Sequence, residues 1–146
     1  MTAKEYLEQI ELLDIKIEQK EEQLASLRAT AGGDAAIRYD KLKIQTTPAP
    51  DAMERNVIRI VELESKIFED KCKLAHLKDQ IVDQIQSLDD PRYIRVLYLR
   101  YVKYEKFEQI ALDMSYDYTY TRALHGEALG MFEIKYSNIL HNLAKK

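Results

Sequence analysis

The sequence predicts an all-α fold: a long N-terminal helical hairpin, an antiparallel coiled-coil-like arm, followed by a C-terminal helix-turn-helix module. Three observations carry this. Glu, Lys, Leu, Ile and Gln are abundant while the 146 residues hold four Gly and three Pro, so long helices meet few breakers. Two stretches repeat apolar residues at alternating steps of three and four, the stripe of a helix packed lengthwise on another. A third, Phe107 to Leu129, reads FEQIALDMSYDYTYTRALHGEAL, two short apolar faces separated by a turn.

An apolar content of 46% over this length supports one modest core or two small ones. The single cysteine, Cys72, has no internal partner for a disulfide, and the first residues, MTAKEYLEQIELLDIK, are too charged for a leader peptide. No segment approaches the ~18 consecutive apolar residues of a membrane span. The expected location is therefore the cytoplasm. The net charge of −3 hides an asymmetry. From Pro91 onward there are 9 basic and 6 acidic residues, 9 − 6 = +3, which leaves (22 − 9) − (25 − 6) = −6 for the first 90. A basic module thus follows an acidic one, the distribution expected if only the second meets a polyanion; a solvated surface with chance imbalance explains it nearly as well.

In order along the chain, Thr2 and Glu5 form a capping box, so a helix begins at once. Tyr6, Ile10, Leu13, Ile17, Leu24 and Leu27 continue it, with Lys20 the polar residue in register. Ala31-Gly32-Gly33-Asp34 is expected to end it. A loop over about 30–50 follows, containing the TTPAP segment in which two prolines exclude continued helix. Asp51 and Glu54 form a second capping box before a helix from Ala52 to Leu88, roughly 55 Å at ~1.5 Å per residue. Ile60, Leu63, Ile67, Leu74, Leu77, Ile81 and Leu88 hold its heptad register, with Asp70 and Gln84 as polar exceptions. The two helices either fold back on each other as a hairpin or pair across a homodimer, and the sequence alone is compatible with both. Asp89-Asp90-Pro91 marks the boundary between the arm, 1–88, and the second domain, 89–146, because Asp90 can cap a helix whose first residue is Pro91. That helix is apolar around most of its circumference and should be the buried support of the module.

Within the module, Ile110, Ala111 and Met114 give a first helix its apolar face, Tyr116 sits at an inward turn position, and Asp117 caps a second helix carrying Leu124, Ala128 and Leu129. In the DNA-binding form of this motif the second helix enters the major groove by its first residues, here Tyr118, Thr119, Arg122 and Ala123. Lys106 and Arg100, with Arg92, Arg95 and Lys103, are candidate phosphate-backbone contacts. The same motif also occurs in helical bundles that never touch DNA. His125 is as well placed to pack beside the motif as to meet a phosphate, and the tyrosines at 93, 98, 101 and 104 have the spacing of core or rim residues. Catalytic and metal readings find little: His76, His125 and His141 have no ligand neighbour at metal spacing, and there is no Gly-rich phosphate loop or nucleophile elbow. No enzyme activity, cofactor or metal is expected.

Taken together, DDPRYIRVLYLRY, FEQIA and LHGEAL resemble a family of phage and prophage proteins with a sigma-factor-like C-terminal module, related to the ArpU/RinA-type late-gene transcriptional regulators. The resemblance covers residues 89 to 132. It implies a module similar to region four of bacterial sigma factors, acting on double-stranded DNA in a bacterial host, with RNA polymerase or another host protein as the alternative partner. On that likeness Leu97 and Arg100 belong to the supporting helix, Glu108, Ile110 and Ala111 to the first motif helix, and Asp117 takes the place of the capping Ser or Thr. The sequence departs from the family where Ser115 replaces a turn glycine and Thr121 an aliphatic residue, and Tyr118, Thr119, Tyr120 and Ala123 replace long polar side chains.

Overall fold

The computed structural model describes residues 1–42 and 50–145, with side chains described for 1–30 and 52–145. The described residues are all-helical. They form α1 (Ala3–Leu42), α2 (Pro50–Gln86), α3 (Pro91–Leu97), α4 (Phe107–Met114), α5 (Tyr118–Lys135) and α6 (Ser137–Ala144), with one π-helical turn over Tyr98–Val102 and no strand among them. None of these helices is long and apolar enough to cross a membrane.

Helix α1 starts where its capping box directs: Thr2 Oγ1 accepts from the Glu5 N–H at 3.2 Å, and Glu5 Oε2 accepts from the Thr2 N–H at 3.0 Å. Its far end differs from expectation. The helix passes through Gly32 and Gly33 and continues to Leu42. A glycine costs about 1 kcal/mol against alanine inside a helix but keeps both backbone hydrogen-bonding groups, and the AAIRYDKL that follows is good helix-forming sequence. The expected 30–50 loop is correspondingly shorter, and what remains of it, 43–49, lies outside the described residues. Helix α2 opens on Pro50, a residue suited to the first helical position, so Asp51 lies inside the helix. Whether its side chain joins Glu54 in a box lies outside the described side chains.

Packing divides the chain into two compact units, Met1–Leu13 with Leu74–Lys146, and Asp14–Lys73. In the second unit Ile17, Leu24 and Ile67 are buried between α1 and α2. The partners run in opposite order along the two helices: Lys20 with Asp70, Glu21 with Lys71, Arg28 with Glu64. The polar exceptions of the two stripes, Lys20 and Asp70, thus answer each other. The Lys20 ammonium holds the Asp70 carboxyl below its ordinary range, chiefly by a direct hydrogen bond that outweighs the opposing effect of burial.

The first unit has the larger core, in which Leu7, Ile10, Ile81, Ile85, Val96, Leu97, Ile110, Leu124 and Phe132 are essentially without exposure. Gln84, the other polar exception, is used here: its Oε1 accepts from the buried Tyr6 hydroxyl at 2.7 Å. Asp90 caps α3 as the Asp-Pro punctuation predicts, accepting from the Arg92 N–H at 2.9 Å. Ile81, Ile85 and Leu88 ahead of that turn share one core with Val96 and Leu97 beyond it. The apolar segment then widens into the π-helical turn, where the Lys103 N–H reaches the Tyr98 carbonyl at 3.1 Å. Val96-Leu97 and Tyr101-Val102 are both buried, and their five-residue spacing fits a π turn and not an α turn. Helix α5 ends at Lys135, and α6 contributes Leu140 to the core.

Candidate functional site

The joint between α4 and α5 is built from three residues. Ser115 ends α4 in the left-handed region, φ 59° and ψ 40°. This is the position where a glycine would avoid a cost of about 1 kcal/mol, and the turn is closed there by the Tyr116 N–H donating to the Ala111 carbonyl at 2.9 Å. Tyr116 is half-buried and meets Tyr120 edge to face, with ring centroids 4.8 Å apart. Asp117 is extended, and its carboxylate accepts from the Tyr120 N–H at 2.7 Å. Ile110 and Ala111 from α4 and Leu124 and Ala128 from α5 are buried together in the core below.

Thr121 explains itself once its hydroxyl is followed. It is fully buried, where an aliphatic residue would be expected, and its Oγ1 donates to the Asp117 carbonyl one turn back at 2.8 Å. The polar atom is thereby satisfied inside the helix and the rest of the side chain packs as valine would.

Tyr118, Thr119, Arg122 and Ala123 are all exposed, and with exposed Gly126 they make one face of α5 that carries no carboxylate of its own. The Arg122 guanidinium lies 5.6 Å from the Phe107 ring centroid and 5.8 Å from that of Tyr118, with Nη1 3.5 Å from the Tyr118 hydroxyl. On the Phe107 ring the Arg100 guanidinium also packs, at 4.3 Å. Two cations therefore share one aromatic platform. Their duties differ: Arg100 is half-buried and donates to the Glu105 carbonyl at 3.0 Å, holding the 103–106 turn, whereas Arg122 stands at the surface. Lys106, the residue capping α4, is exposed beside them, as are Lys103 and Arg95.

His125 belongs to the support of this face. Its Nε2 is 2.7 Å from the Tyr101 hydroxyl, its ring stacks on Tyr101 at 5.6 Å, and Phe107 meets it edge-on at 4.9 Å. Burial, followed by the charges of Arg100, Lys4 and Arg122, pushes its pKa down to about 4, so it is neutral at pH 7. Burial also pushes the Tyr101 phenol upward, which makes Tyr101 the donor in that bond.

Arg92 is engaged differently from a free phosphate contact. It forms an ion pair with Asp90 at 2.8 Å and donates to the Tyr120 hydroxyl at 2.7 Å, tying the start of α3 to the flank of α5. Tyr93 adds a bond to Glu127 at 3.3 Å. Of the candidate residues, then, Tyr118, Thr119, Arg122, Ala123 and Lys106 lie at the surface, and Arg100 and Arg92 are committed to internal contacts. Phe107 as a platform and Tyr120 as a clamp were not singled out from sequence. Their roles come from contacts across helices, and no local spacing announces them. No group of three or more potential metal-ligating side chains occurs among the described residues. Compared with known proteins, the chain matches no family model, no curated protein and no solved structure.

Proposed function

We propose that the chain is a phage-encoded, sigma-factor-like transcriptional regulator of the bacterial cytoplasm, with a helical hairpin arm over 1–88 and a helix-turn-helix module over 89–146. In this reading α4 braces α5, and α5 enters the major groove of duplex DNA over about 117–128. One observation carries it: the edge of Tyr118, Thr119, Arg122 and Ala123 is left open by the chain's own packing and has a surface guanidinium at its centre. Arg122 and Lys106 contact phosphates, while Thr119 and the Tyr118 hydroxyl offer hydrogen bonds to backbone or base edges. Arg100 acts indirectly, by fixing the turn and the Phe107 ring. The activity is binding, with no catalytic step.

Affinity of this kind is largely electrostatic, and its log-log dependence on salt has a slope of about −0.9 per phosphate neutralised. A gel-shift series with Arg122→Ala and Lys106→Glu tests the assignment. Each variant is expected to weaken binding and flatten the salt dependence. Unchanged binding in both would remove α5 from the interface.

A second reading has its own observation. Leu112 and Ile134 are each about three-quarters exposed, more than any apolar residue near Arg122. Such side chains suit a protein surface better than DNA, so the same module would dock on RNA polymerase or another host protein. Co-purification from nuclease-treated host extract that is lost in Leu112→Glu, with DNA binding absent, would favour it.

A further inference from the structure

Within the unit Asp14–Lys73, α2 has two apolar faces, and α1 covers only one of them. Ile67 and Asp70 point to α1. On the opposite side Val57, Ile58, Val61 and Phe68 are each more than half exposed. At about 100° per residue, these four with Ser65 and Cys72 fall within about 60° of one direction, over about four turns. The charged residues bordering this strip on the α1 side are drawn away from it: Glu64 pairs with Arg28, and Lys71 with Glu21 at 2.8 Å. What is left is a straight, uncharged strip.

We propose that a second copy of the chain covers it, the two α2 helices packing face to face about a two-fold axis. Size favours this occupant. Together with Met53, also more than half exposed, the strip offers about 500 Å² of apolar surface per copy and about 1,000 Å² for the pair, the area at which specific interfaces begin. A lone patch of that extent is at the upper end of what a monomer leaves open. Shape favours it too, because a linear strip is complementary to its own reversed copy. In the antiparallel register that sets Ile58 of one copy against Phe68 of the other, Val61 falls against Ser65, bulky against small. The inference rests on nothing proposed for α5.

Sedimentation velocity of the full chain without nucleic acid, from ~1 to ~100 µM, tests it. A reversible dimer with a dissociation constant on the order of micromolar is expected. Phe68→Glu should weaken the dimer by about 100-fold or more, since it removes a large apolar contact and places two like charges in the strip. Its circular dichroism and melting temperature, measured at low concentration, should match the parent, because Phe68 is not packed within the chain. Ile134→Glu, an equally exposed apolar site elsewhere, should leave the dimer intact. A parent chain that stays monomeric at ~100 µM, or a dimer indifferent to Phe68→Glu, overturns the proposal.

Discussion

Each of the two compact units contains one polar exception of the α2 stripe, and each resolves it differently. Asp70, in the unit of residues 14–73, is answered by the Lys20 ammonium at a position where both side chains keep some contact with water. Gln84, in the unit with the larger core, is answered by the Tyr6 hydroxyl, a neutral partner. The difference follows desolvation. Where few side chains are buried a charge retains part of its hydration, so an ion pair is tolerable; among Leu7, Ile10, Ile81, Ile85 and Phe132 an ion would lose nearly all of it.

The sharpest way to break this contrast is to dismantle the wall of the neutral pair. Phe132 lies 6.1 Å from Tyr6 ring to ring and is fully buried, so Phe132→Ala should cost about 3–5 kcal/mol in urea unfolding. A loss under 1 kcal/mol would mean that this core is far looser than described. Next in size, Gln84→Glu keeps the shape but brings a carboxyl group into the neutral site. We expect a loss of about 2 kcal/mol at pH 7 that shrinks toward pH 5, where the carboxyl accepts a proton. In the other unit Asp70→Asn should cost only about 1 kcal/mol, because the pair it weakens is partly screened by solvent. Equal losses at positions 84 and 70 would refute the contrast.

Two smaller effects belong to the α4–α5 joint. Ser115→Gly should stabilise by about 1 kcal/mol, since glycine adopts the left-handed conformation without penalty. The last is a pH slope. His125 has its folded pKa lowered to about 4 from an ordinary 6.5, so its contribution is complete above pH 6.5 and is lost as the pH falls toward 4, where the unfolded chain binds the extra proton. Melting temperature should drop from pH 7 to pH 5, and His125→Gln should flatten that drop.

Much of the helical scaffold was legible in the residues. The stripes with Lys20, Asp70 and Gln84 as exceptions, the Thr2 capping box and the Asp90-Pro91 start of α3 are all local patterns, and local hydrogen bonding and amphipathicity produce them directly. Less legible were features decided across helices. The Gly32-Gly33 pair looked like a stop, but the helix-forming run after it outweighs two modest penalties. Thr121 looked misplaced until its hydroxyl was seen to bond within its own helix. At the candidate site, exposure of Tyr118 followed from the pattern of a helix start, whereas the division of labour between Arg100 and Arg122 depends on which side of the Phe107 ring each occupies. Spacing along the chain carries no information about that.

The wide turn over Tyr98–Val102 stows one residue more than an α turn would use, and this makes chain length there a steering parameter. Deleting a single residue, Leu99 for instance, would let the helix run regularly and swing all that follows by about 100° around its axis. Tyr101 and Val102 would leave the interior, and α4 would be re-aimed along with the ring on which both arginines rest. The orientation of the open edge is therefore set by a count of residues as much as by their identity.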